Sequence, residues 1–75
     1  ALWQDGQANA ALRAYRATVE RAPEMAPAWN NLAYALRDSG HQQQAREAVC
    51  RARRLAPEDD NVADSVAEIT DGRGC

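Results

Sequence analysis

The chain has no phenylalanine and no lysine, and only two tryptophans and two tyrosines supply aromatic rings among its 75 residues. A core without bulky rings is built by close approach of backbones, which the abundant alanine suits. No apolar run nears the roughly 20 residues that a helix needs to cross a bilayer. Two cysteines, Cys50 and Cys75, are too few and too far apart for a disulfide framework or a zinc site. The single histidine, His41, has no second metal ligand and no acid–base partner at useful spacing. The four glycines are scattered, so none forms a phosphate-cradling loop. With a net charge of −2 and no basic stripe, nothing suggests a nucleic-acid binder. All nine basic residues being arginine, beside so much alanine, fits a GC-rich bacterial source.

What the chain does have is a period. Gly6, Ala11 and Pro23 recur as Gly40, Ala45 and Pro57, each 34 residues later. Three landmarks sharing one interval mark an internal repeat, and this interval is that of a helix–turn–helix solenoid. Such arrays present surfaces and rarely perform chemistry themselves.

Apolar spacing then divides the chain into four helices. Over residues 7–22, Ala8, Ala11, Leu12, Tyr15 and Val19 fall on one stripe, with Arg13, Arg16 and Glu20 off it. Gly6 is expected to mark the turn before this helix and Pro23 its end. A second helix spans residues 26–39, with Pro27 in its first turn, where a missing N–H costs nothing. Its buried stripe is Trp29, Leu32, Ala33 and Leu36, and Gly40 suits the left-handed position after its last turn. A third helix over residues 42–55 is lined by Ala45, Ala48, Val49, Ala52 and Leu55, and Pro57 closes it. The fourth begins near Asp59 or Asp60, either of which caps free N–H groups. Val62, Val66 and Ile69 form its apolar edge, and Asp60, Asp64, Glu68 and Asp71 its acidic one. Residues 71–75 are expected to fray.

These residues resemble the tetratricopeptide repeat family, whose pattern is W-x₂-L-G-x₂-Y, then A-x₃-F, then P. Here it stands as Trp29-x₂-Leu32-Ala33-x₂-Leu36, Ala45-x₃-Val49-x₂-Ala52 and Pro57. Its second half also appears as Ala11-x₃-Tyr15-x₂-Thr18 and Pro23. Ala33, Leu36, Val49 and Thr18 stand where the family usually has glycine, tyrosine, phenylalanine and alanine, changes that keep small size or apolar character. The resemblance implies an all-α fold of antiparallel helix–turn–helix repeats stacked as a short right-handed α-solenoid. Residues 1–25 would be a partial repeat, 26–59 a complete one, 60–71 a capping helix and 72–75 a flexible tail. Ala1 and Leu2 align with Ala35 and Leu36, the end of a first helix. At least three repeats are normally wanted for a stable stack. The chain is therefore expected to be an excerpt of a longer array, or to pair as a homodimer through a partly uncovered Leu12, Tyr15 and Val19, near Trp3.

The resemblance further implies a non-catalytic scaffold that binds a protein or peptide in a concave groove lined by the first helix of each pair. On this chain the groove residues would be Asn30, Asn31, Tyr34, Arg37 and Asp38, with Asn61, Ser65 and Glu68 extending them. Asparagine amides both donate to and accept from a peptide backbone. Asn31 resembles one member of the family's carboxylate clamp, but Asn61 and Ser65 stand where basic partners should recur. The run from Ala26 to Leu36 also looks like repeat tails attached to bacterial enzymes, some cysteine peptidases among them. No cofactor, nucleic acid or membrane partner is expected, and neither cytoplasm nor periplasm is singled out.

Charge is uneven along the chain. Residues 46–57 carry Arg46, Arg51, Arg53 and Arg54 against Glu47, a net +3, while residues 58–71 carry six carboxylates and no base, a net −6. The arginines lie on a second helix, outside the expected groove, and read as a solvated face. Cys50, aligned with Arg16, is expected to be a surface thiol, and Cys75 another on the tail.

Overall fold

The computed structural model describes the backbone of residues 2–75 and the side chains of residues 10–75. It contains four helices, α1 (Leu2–Arg21), α2 (Ala26–Asp38), α3 (Gln42–Leu55) and α4 (Asp60–Ile69), and no strand among the described residues. Residues 22–25, 39–41 and 56–59 connect them, and connections this short double the chain back on itself. α2 is the centre of the molecule: it packs on α1, on α3 and on α4, while α3 also packs on α4. Among the described residues the backbone of α1 comes close to neither α3 nor α4.

The internal repeat is visible in the turns. Ala22 N donates to Thr18 O and Ala56 N to Ala52 O, each at 2.9 Å; Met25 N donates to Ala22 O and Asp59 N to Ala56 O, each at 3.1 Å. Every partner in the second turn stands 34 positions after its counterpart in the first. Pro23 and Pro57 sit at the same place in these two turns, where the missing N–H ends the preceding helix. Trp29 secures the first turn from outside, its Nε1 donating to Pro23 O at 2.8 Å.

The core is made of small side chains. Ala33, Ala45, Val49, Ala52 and Ile69 have no exposed surface, and Leu12, Val19, Leu32, Leu36, Val62 and Val66 are buried around them. Trp29 and Tyr15 are half-buried and pack against this core. A methyl group at 33, 45 and 52 lets α2 and α3 come close; a longer side chain there would force the helices apart. Gly40 ends α2 with φ +86°, while His41 N reaches Leu36 O at 2.8 Å and Gly40 N reaches Arg37 O at 3.0 Å. Those two bonds make a Schellman cap, for which glycine is the least strained residue.

Four expectations are corrected. No turn forms at Gly6, because α1 continues through it. Continuing the helix through Gly6 adds a hydrogen bond per residue. That gain exceeds the cost of about 1 kcal/mol for an internal glycine. Leu12 and Val19 are not an uncovered edge, since both are only 6% exposed, while Tyr15 remains half-buried. The side chains of Trp3 and Ala8 lie outside the described residues. Leu55, expected in the buried stripe, is exposed, because it is the last residue of α3 and the chain turns away after it.

The carboxyl end supplies the fourth correction. Instead of fraying, it turns back through a second Schellman cap, with Asp71 at φ 56° and Gly72 N donating to Ala67 O at 2.8 Å. Thr70, buried, donates to Val66 O and accepts from Gly74 N at 2.9 Å. Gln42 closes the same corner by donating to Ile69 O. The reversal carries Cys75 back along α3 to Cys50, and the two form a disulfide with their Cα atoms 5.7 Å apart. Neither cysteine is a free thiol. The 25-residue separation that makes the pair look remote in sequence is spent on α4 and its return.

Two predictions follow from these termini. Met25 and Asp59 are equivalent N-caps of extended geometry, but only Asp59 caps with its side chain, accepting from Asn61 N at 2.8 Å and Val62 N at 3.3 Å. Met25→Asp will therefore raise unfolding stability by about 1 kcal/mol in urea titration, with Asp59→Ala lowering it by a similar amount. Closing a loop of this length restricts the unfolded chain, so Cys50→Ser, or reduction of the native protein, will cost about 3 kcal/mol, read as a lower melting temperature.

Candidate functional site

α2 is 13 residues long and shows three faces. Its apolar stripe enters the core, and the expected groove residues divide between the other two. Tyr34 and Arg37, one turn apart, point to α4; Asn31 and Asp38 lie on the side shared with α1.

Toward α4, Tyr34 Oη lies 3.0 Å from Ser65 Oγ and 2.8 Å from a Glu68 carboxylate oxygen. Ser65 Oγ in turn lies 2.9 Å from Asn61 O. Two hydroxyl protons serve these three contacts, so one contact always lacks a proton. The Glu68 carboxylate, the only charged acceptor of the three, takes the Tyr34 proton most strongly. Arg37 covers the other side of the ring, its guanidinium carbon 5.0 Å from the Tyr34 centroid and a nitrogen 4.0 Å from Glu68. Arg37 also reaches Asp38 at 3.8 Å. These ion pairs are exposed and at the limit of contact, so they orient side chains without adding much stability.

Toward α1, a cavity of about 260 Å³ opens between Ala11 and Tyr15 on α1 and Asn31, Tyr34, Ala35 and Asp38 on α2. Tyr34 forms a wall of this cavity while its hydroxyl is held by α4, so α4 fixes the shape of a cleft it does not line. Asn30 stands one turn before Tyr34, half-buried, and its Oδ1 is buried without a hydrogen-bond partner among the described residues. An unsatisfied buried acceptor costs about 1–3 kcal/mol, and this one has no surface open to a ligand.

The structure thus brings Tyr34, Arg37, Ser65 and Glu68 into one network and sets Asn31 and Asp38 beside a cleft. Asn61 lies at the start of α4, exposed, its backbone engaged with Asp59 and Ser65. Ser65 is only 3% exposed, so it holds Tyr34 rather than facing a ligand. Sequence spacing missed Ala11 and Tyr15 as the far wall, because they sit on the other helix of the pair. The 34-residue repeat signals α1 but not which of its residues come to α2. His41, the backbone N-cap of α3, is exposed. Among the described residues no three of the histidine, cysteine, aspartate and glutamate side chains gather as metal ligands would.

The Tetratricopeptide repeat family model matches residues 2–69 of the chain, all but its two ends. No curated protein and no solved structure matches it.

Removing the Tyr34 hydroxyl tests the network directly. Tyr34→Phe keeps the ring and its Arg37 contact, and Ser65 retains Asn61 O. The expected loss is about 1 kcal/mol by urea unfolding, with helix content by circular dichroism unchanged.

Proposed function

Since the chain belongs to the tetratricopeptide repeat family, whose members mediate contacts between proteins, we propose that it binds an extended peptide segment of a partner along the polar side of α2. The observation that carries this reading is the exposed pair Asn31 and Asp38 on one side of α2, at the cleft walled by Tyr15 and Tyr34. An extended peptide offers N–H and C=O groups alternately, and asparagine amides answer both. Asn31 and Asp38 are exposed, so they meet a peptide without rearrangement of the core. Arg37 and the Tyr34–Glu68 pair supply charge of both signs at the α4 end of the surface. In this reading Asn61 extends the polar surface, and the buried Ser65 contributes only by fixing the Tyr34 ring. The function is recognition, and no residue is assigned a catalytic role.

The experiment compares the intact protein with an Asn30→Ala, Asn31→Ala, Asp38→Ala variant. Partners captured by the parent are identified and their binding segments titrated by calorimetry against both proteins. The variant is expected to bind at least about tenfold more weakly, a loss of about 1.4 kcal/mol, with its melting temperature kept. Equal binding by the two proteins moves the site off α2.

A further inference from the structure

A larger groove lies on the other side of α2. The backbones of α1 and α3 stay apart among the described residues, and the gap between them opens as a groove of about 1170 Å³. Its apolar floor is the half-buried Trp29 of α2, with Leu32 and Leu36 buried beneath it in the core. Its rim is arginine: Arg16 from α1, and Arg46, Arg51 and Arg54 from α3. Glu47 is the one acidic side chain that lines it, so the lining side chains carry a net +3. None of the six acidic residues of positions 58–71 is part of it.

The arginines hold their charge without neutralising it. Both ion pairs among the described residues belong to Arg37, on the α4 side of the molecule, and no described carboxylate lies within 4.0 Å of the four rim arginines. Two of the four have neutral partners instead. Arg16 donates to Gln44 Oε1 at 3.1 Å, and the Arg51 guanidinium lies over the Trp29 ring, 5.3 Å from its centroid. Such contacts position a guanidinium while leaving its charge and several of its five N–H groups free.

From this geometry we infer that the α1–α3 groove is a second docking surface, whose occupant is an acidic peptide segment of a partner protein carrying an apolar side chain between carboxylates. Arginine forks match carboxylates with two parallel hydrogen bonds, which a lysine rim would not. Along α3, Arg46 and Arg54 stand eight residues apart, about 12 Å at the helical rise. An extended peptide covers about 3.3 Å per residue, so carboxylates about four positions apart reach both. A side chain midway between them meets the half-buried Trp29. What separates this occupant from a nucleic-acid strand is the short supply of positive charge: four arginines with Glu47 among them, on a chain of net charge −2, match a few carboxylates and not a continuous run of phosphates. The surface is independent of the proposed α2 site, since Asn30, Asn31 and Asp38 do not line it.

The test is fluorescence anisotropy of the intact, oxidised protein with a labelled peptide bearing two aspartates about four residues apart and a leucine between them. Comparison probes replace the aspartates by asparagine or the leucine by serine, and a labelled single-stranded oligonucleotide serves as the polyanion. The expected result is saturable binding, weakened at least about tenfold in the Arg46→Ala, Arg54→Ala double variant and by either peptide change. Binding should also fall as salt rises from about 50 to about 300 mM, because the rim charges are exposed. Asn31→Ala should leave it untouched, which separates this groove from the α2 site. Both rim arginines are exposed, and a circular-dichroism melt confirms that the double variant folds. The proposal is overturned by absent binding, by equal affinity for the asparagine or serine peptide, or by an unaffected arginine variant. It is likewise overturned by tighter capture of the oligonucleotide, or by light scattering that shows the groove filled by a second copy of the chain.

Discussion

Everything in this fold depends on how closely α2 and α3 approach. Ala33, Ala45 and Ala52 have no exposed surface, and a methyl group is the whole of each side chain. Alanine loses no side-chain entropy on burial and imposes no spacing of its own, so the distance is set by near-contact of backbones. With the pair this tight, the larger Leu32, Leu36 and Val49 are left to fill the seams toward neighbouring helices. An 8.2 kDa chain without phenylalanine gains a continuous core in this way, though one thin for its length.

Because α2 touches all three other helices, it is a wall shared by two surfaces. Its polar residues meet the network of α4 and the small cleft toward α1. Trp29, half-buried near its amino end, floors the arginine groove. The sign of charge follows the same division. Glu68 lies on one side with Arg37 and Tyr34, and the four rim arginines on the other. An exposed acidic helix beside a basic groove would attract and collapse onto it if the two could meet; α3 stands between them and keeps both faces available.

The carboxyl end is tied three ways: by the Schellman cap at Asp71, by Gln42 on Ile69 O, and by the disulfide to Cys50. Without these, α4 at 10 residues would be held mainly by Val62, Val66 and Ile69. Helices this short are marginal alone and take their stability from packing. The tie also sets Cys50 and Cys75 into the wall of the arginine groove, so the last residue of the chain helps shape the surface formed by α3.

Local signals were enough for the existence of the helices, for the ends of α2, α3 and α4, and for the family. The ends of α2, α3 and α4, the left-handed Gly40, the Asp59 cap and the buried edge Val62, Val66, Ile69 all depend on neighbours within one or two turns, which spacing reports directly. The tertiary structure alone decided that α1 runs through Gly6, since one internal glycine costs less than the helical hydrogen bonds that a turn would forgo. It alone buried Ser65 and brought Tyr15 to Asn31, because contact across helices depends on their mutual placement. It joined Cys50 to Cys75 through an aspartate in a left-handed conformation, a geometry that no spacing rule assigns to Asp71. And it turned arginines that look like a solvated helix face into the rim of a groove, since a groove exists only where two helices stay apart.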